Sequence, residues 1–138
     1  MTIKEWQTKV FDIAKSKGWY DPQVTQSTDI ERHMLMVSEI AEATEEVRNG
    51  KPPIYVIWEG SEVQPDGTYS GNGSGQNIDI WEESFGIVKP EGEATELADT
   101  VIRIMDYFEY KGWDLEEAIR IKSKYNESRP YRHGGKKI

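Results

Sequence analysis

Two pairs of carboxylates share one spacing along the chain: Glu39 with Glu42, and Glu96 with Asp99. Residues three apart on a helix lie roughly 60° apart around the axis and one turn along it, so each pair can direct its oxygens at one ion. Hard cations such as Mg²⁺ take oxygen ligands of this kind. A second concentration of chemistry lies at the other end of the sequence. From Arg120 onward, seven basic side chains (Arg120, Lys122, Lys124, Arg129, Arg132, Lys136 and Lys137) stand against one acid, Glu127. Such an asymmetry suits an anionic partner such as phosphate, and equally a frayed basic chain end.

Four helical segments must carry these residues. The first is predicted from about Ile3 to Lys17, with an apolar stripe of Ile3, Trp6, Val10, Ile13 and Ala14, a Thr2/Glu5 capping box and Gly18 as its stop. The second opens at Thr28 with Glu31 three residues on, and continues through Ile30, Met34, Val37, Ile40, Ala41, Thr44 and Val47 to Asn49-Gly50. The third follows Pro90-Glu91-Gly92, is expected to bury Ala94, Leu97, Ala98, Val101, Ile104, Met105 and Phe108, and stops at Gly112. The fourth begins at Asp114, with Glu117 placed to close a further capping box, and ends before Arg129-Pro130. The fold class predicted is all-α, a mainly helical bundle.

Residues 51–89 break the pattern and form a partly β-like or loop insert between the second and third helices. Ile54 to Trp58 and Ile78 to Trp81 read as short strands, while Pro65-Asp66-Gly67 and Gly71 to Gly75 read as turn and loop. The glycine-rich tip is not a P-loop, because no Gly-Lys-Ser/Thr follows it.

On the second helix, Glu39, Glu42 and Glu46 fall opposite the apolar arc, which by itself is what an ordinary amphipathic surface helix looks like. The third helix repeats the arrangement: Glu96, Asp99, Arg103 and Asp106 share a polar side, and Arg103, four residues past Asp99, is placed to orient or neutralise it. Two such helices facing each other would gather four carboxylates around a cation. A di-iron carboxylate site needs Glu-x-x-His on two helices, and neither pair here has a histidine at that spacing. His33 lies toward the apolar arc and is expected to pack. Oxygen-only ligation points to Mg²⁺ or Mn²⁺; the looped ligand pattern of Ca²⁺ is absent.

On the fourth helix Leu115, Ile119, Lys122, Asn126 and Arg129 fall on one narrow face that turns from apolar to cationic. Either a polar pocket or emergence into solvent produces that switch, and the first is the favoured expectation. Arg pairs its donors on phosphate oxygens, Lys acts as a point charge, and Asn both donates and accepts.

Composition narrows the classes. The 138 residues suit one domain with a core, and carry a formal charge of -8. With a sequence pI of about 4.8, nonspecific nucleic-acid binding by the body of the protein is disfavoured. The absence of cysteine excludes disulfides, thiolate metal sites and a cysteine nucleophile, and is compatible with a reducing cytoplasm. The first residues mix charge with apolar side chains, unlike a signal peptide or membrane span.

Taken in order, these segments resemble the MazG-like all-α nucleoside triphosphate pyrophosphohydrolases, in particular the small single-domain members of phages and bacteria. The resemblance rests on Glu39-x-x-Glu42 within Ser38-Glu-Ile-Ala-Glu-Ala, and on Lys89-Pro-Glu-Gly-Glu-Ala-Thr-Glu-Leu-Ala-Asp99 running on to Ile102-Arg-Ile-Met-Asp106. Lys122-x-x-Tyr-Asn126-x-x-Arg129-Pro and Arg132-His-Gly-Gly-Lys136 complete it. It implies a single domain over residues 1–138, a host or bacterial cytoplasmic location, and a Mg²⁺-dependent hydrolase that splits a (d)NTP into monophosphate and pyrophosphate. Glu39, Glu42, Glu96 and Asp99 would then be the catalytic metal ligands. Lys122, Asn126 and Arg129 would meet phosphate and base, with Arg132 and Lys136 assisting. The resemblance further implies metal-activated attack of water on the α-phosphorus. It also implies a homodimer or homotetramer, which the aromatics Tyr107, Tyr110 and Trp113 are expected to serve.

Two departures stand out. Family members often place a further Glu immediately before the first ligand, where this chain has Ser38, and the separation of Glu42 from Glu96 is long. The first keeps open a nucleotide or alarmone sensor that binds without cleaving. An oligomeric interaction module whose basic tail docks on nucleic acid is the third reading.

Overall fold

The computed structural model describes residues 1–24, 26–58, 60–64 and 88–138. It is mostly helical: α1 (Ile3–Ser16), α2 (Asp29–Arg48), a two-stranded antiparallel sheet of β1 (Val56–Trp58) and β2 (Ser61–Val63), α3 (Glu93–Tyr110), α4 (Leu115–Glu127) and a terminal turn, α5 (Arg132–Gly135). The expected strand at Ile78 to Trp81, the turn at Pro65 to Gly67 and the glycine-rich tip lie outside the described residues. Among the described residues no helix is long and apolar enough to cross a membrane.

Local chemistry sets the helix starts. Thr2 and Thr28 each accept from the backbone N–H three residues on, while Glu5 and Glu31 return a carboxylate to the cap's own N–H. Two otherwise orphaned donors are thus satisfied at each start. The third expected box is only half formed. Asp114 accepts from the Glu117 N–H, but the Glu117 carboxylate turns to Arg120, at 2.5 and 2.7 Å.

The chain divides into two compact units, Met1–Ser27 with Ile104–Ile138, and Thr28–Arg103. In the first, α1 packs on α4. Its inward face differs from the predicted stripe: Gln7 and Val10 are buried, and Trp6 and Ile13 are about half exposed. The reason is a polar staple. The Gln7 amide donates to Glu109 at 2.5 Å and to the Trp113 carbonyl at 2.9 Å, and its oxygen accepts from the Leu115 N–H at 3.0 Å. A side chain with every polar group engaged can be fully buried at little cost. Aromatic rings fill the remainder, Phe11 against Tyr20 and Tyr20 against Tyr110, with Tyr107 and Phe108 edge-on to Trp113. Of the three aromatics expected to serve an oligomer, Tyr107 is buried within the single chain, whereas Tyr110 and Trp113 are about half exposed.

The second unit reverses the expected faces. On α2 the buried residues are Glu39 and Ala43, while Ile30, Met34, Val37, Ile40 and Val47 are 47% to 74% exposed. His33, expected to pack, is exposed as well. On α3 Glu96 and Thr100 are buried, and Leu97, Val101 and Ile102 are 39% to 47% exposed. The polar sides of both helices turn inward, where Glu39 pairs with Arg103, and the apolar residues named above are left uncovered.

Val56 and Val63 pair across the sheet and form a small core with Ile54, Trp58 and Val88. The ends of the insert are tied together: Tyr55 and Glu91 exchange both backbone hydrogen bonds, at 2.8 and 3.0 Å, and Pro53 accepts from the Ala94 N–H at 2.9 Å. That last bond caps a free donor in the first turn of α3.

Candidate metal centre

Glu39 on α2 and Glu96 and Asp99 on α3 each bring a carboxylate oxygen within 4.8 Å of the others. Helix periodicity places Glu96 and Asp99 one turn apart on the side of α3 that meets Glu39. Glu42 stands apart from this trio and is exposed, yet its charge reaches Glu96. Three of the four predicted acids therefore converge, and the fourth sits close enough to be felt.

Arg103 was expected to serve Asp99, four residues away on its own helix. Its Nε instead donates to Glu39 Oε1 at 2.5 Å, tying α3 to α2. Glu39 is only 6% exposed, and a carboxylate removed from water needs such a partner. Asp99 is more open. Burial and the neighbouring Glu39 charge push its carboxyl above the usual range, partly offset by Arg103 and Lys89.

Glu96 has no such relief. It is 5% exposed, and among the described residues its carboxylate makes neither a hydrogen bond nor an ion pair. Burial, then Glu42 and then Asp99 raise its pKa, with the charge of Lys89 acting the other way. A desolvated carboxylate among other carboxylates is costly unless a cation or proton joins it. This donor set, all oxygen and short of positive charge, fits Mg²⁺ or Mn²⁺.

A second grouping was not foreseen. Glu46, Glu91 and Glu96 also place one oxygen each within 4.8 Å of one another. Glu46 was legible in principle, since seven residues after Glu39 is nearly two full turns on the same face. Glu91 was not, because its place comes from the backbone pairing with Tyr55 and not from any helical period. The Tyr55 hydroxyl donates to Glu46 at 2.9 Å, and burial followed by that bond raises the phenol's pKa.

The predicted phosphate ligands belong to the first unit. α4 buries no residue: Lys122 and Asn126 are exposed, and Arg129 is partly covered. Its apolar-to-cationic face is open to solvent in the single chain. Lys122 and Arg129 lie over the Tyr125 ring, at 5.1 and 5.8 Å from its centre. Arg132 and His133 both have a φ of 51°, followed by Gly134 and Gly135 at 89° and 91°, so the terminal turn winds left-handed. Within it Arg132 donates to the Lys137 carbonyl at 3.0 Å, and Lys136 is exposed. Comparison with family models, curated proteins and solved structures finds no match to this chain.

Proposed function

We propose that the chain is a Mg²⁺- or Mn²⁺-dependent nucleoside triphosphate pyrophosphohydrolase of the MazG-like all-α kind, converting a (d)NTP to a (d)NMP and pyrophosphate. The observation that carries this reading is the convergence of Glu39 and Asp99 on the buried Glu96 carboxylate, which has no hydrogen bond or ion pair among the described residues. Glu39, Glu96 and Asp99 would hold the cation, with Glu42 at the rim. When bound, the cation would offset phosphate charge and acidify a water. Arg103 would keep Glu39 in register, and the burial of Glu39 and Glu96 would exclude competing solvent. Lys122, Asn126 and Arg129, helped by Arg132 and Lys136, would bind the triphosphate and counter the charge developing on pyrophosphate.

The test is a screen of the eight common (d)NTPs and of oxidised, methylated and deaminated ones, with products identified. Pyrophosphate and monophosphate should form with Mg²⁺ or Mn²⁺ and not in chelator. One observation favours a second reading, a nucleotide sensor. Ser38, standing where relatives often have another acid, spends its hydroxyl on the Leu35 carbonyl at 2.7 Å and offers no base to the site. Tight calorimetric binding of a triphosphate with no product would establish it.

The same reading includes a homodimer or homotetramer. The uncovered faces of α2 and α3 support a second copy as the occupant. An uncharged stripe such as Ile30, Val37, Ile40 and Val47 is rarely left in water by a monomer, and it is self-complementary in chemistry. Light scattering should give at least twice the chain mass of 15.9 kDa. Ile40→Glu should reduce it to the monomer.

A further inference from the structure

The Glu46, Glu91 and Glu96 grouping overlaps the pair of acid turns that prompted the functional reading only at Glu96. Its three members come from three places: the last third of α2, the residue paired with Tyr55, and the first turn of α3. Two of them are fixed through Tyr55 and the third through its helix. Glu46 is held by the Tyr55 hydroxyl at 2.9 Å. Glu91 is held by two backbone hydrogen bonds to Tyr55. Glu96 is held by the rigidity of its helix, which begins at Glu93.

Glu96 supplies the sign of a ligand. Its carboxylate is about nineteen-twentieths buried, is shared by both groupings, and has no hydrogen bond or ion pair among the described residues. Among the described residues one ion pair reaches the second grouping, from Lys89, whose Nζ is 3.0 Å from Glu91 Oε1, while the charge of Lys51 acts on Glu46 without an ion pair. The Lys89 side chain is 76% exposed and free to swing away. A bound cation with three or more oxygen ligands would satisfy Glu96 in a way that Lys89 does not.

We propose that Glu46, Glu91 and Glu96 form a second divalent-cation site, which fastens the insert's anchored end to α2 and α3 and shares Glu96 with the first site. The proposal rests on the metal reading of the first site but not on any reaction. The chemical class is a hard, oxygen-seeking ion, Mg²⁺ or Mn²⁺. Because the first site uses Glu39 and Asp99 and the second uses Glu46 and Glu91, each can be emptied without touching the other's private ligands.

The experiment is a Mn²⁺ titration of the full chain, followed by calorimetry and by electron paramagnetic resonance of the free ion, with thermal melting alongside. The wild type should bind two Mn²⁺ per chain, Glu91→Gln one, and Glu39→Gln one. In Glu39→Gln, saturating Mn²⁺ should still raise the melting temperature, because the second site remains. Adding Glu91→Gln to that variant should abolish the rise. Glu46→Gln, changed on a different element, should match Glu91→Gln and guards against a folding defect in either one. One Mn²⁺ per chain in the wild type, unchanged by Glu91→Gln and Glu46→Gln, would overturn the second site. Loss of pyrophosphate release with two Mn²⁺ still bound would overturn the reaction while leaving this site standing.

Discussion

Glu39→Gln and Asp99→Asn should each lower pyrophosphate release by at least about 100-fold, equivalent to about 2.7 kcal/mol of activation free energy, with unchanged far-UV circular dichroism. Both substitutions keep the side chain's shape and remove one ligand charge from the grouping with Glu96. The fold should survive because a Gln at position 39 still offers an oxygen to Arg103, and Asp99 carries no backbone cap. Glu45→Gln makes a suitable control. Glu45 lies on the same helix, is exposed and pairs only loosely with Arg48 at 3.7 Å, so activity should stay within about twofold of wild type, in keeping with the small worth of exposed ion pairs. Wild-type rates in Glu39→Gln or Asp99→Asn would remove those residues from the ligand set.

Gly92→Ala should be the most damaging single change for stability, costing about 3 kcal/mol or more. Gly92 has a φ of +109°, and a Cβ there would lie 2.5 Å from the Pro53 carbonyl oxygen and 2.7 Å from that of Pro52. The nearer oxygen cannot yield easily, since the Pro53 carbonyl is bonded to the Ala94 N–H. Gly60→Ala separates the two causes. Gly60 also has a positive φ, +79°, but its added Cβ would meet nothing within 4 Å, so it should lose only about 1–2 kcal/mol from backbone strain. Urea melts of the two variants give the comparison. Equal losses would show that the prolines relax at no cost and that the close approach is unimportant.

Helix starts were legible in the sequence because a capping box is a local event: Thr2 with Glu5 and Thr28 with Glu31 need only four residues to declare themselves. The box at Asp114 is only half formed because Arg120, a residue outside that window, captured the Glu117 carboxylate. Facing was less legible. Periodicity separates a helix's polar side from its apolar side, yet it does not say which side turns inward. On α2 and α3 the pairing of Glu39 with Arg103 goes with polar sides turned inward, the reverse of the usual rule. Spacing put Glu96 and Asp99 on one side of α3, but the meeting of that side with Glu39 and the exposure of Glu42 depend on how the helices face each other, which spacing does not record. Gln7, Gly92 and Glu91 owe their roles to partners 35 or more positions away in sequence, and no window of neighbouring residues records that.

The backbone exchange between Tyr55 and Glu91 joins the two chain ends at which the segment between them begins and ends, so the positions of Glu91 and Glu96 do not depend on that segment's length. Closing a loop twice as long costs only about 0.6 kcal/mol more. A change of length between Tyr55 and Glu91 is therefore expected to leave the acids on α2 and α3 in place.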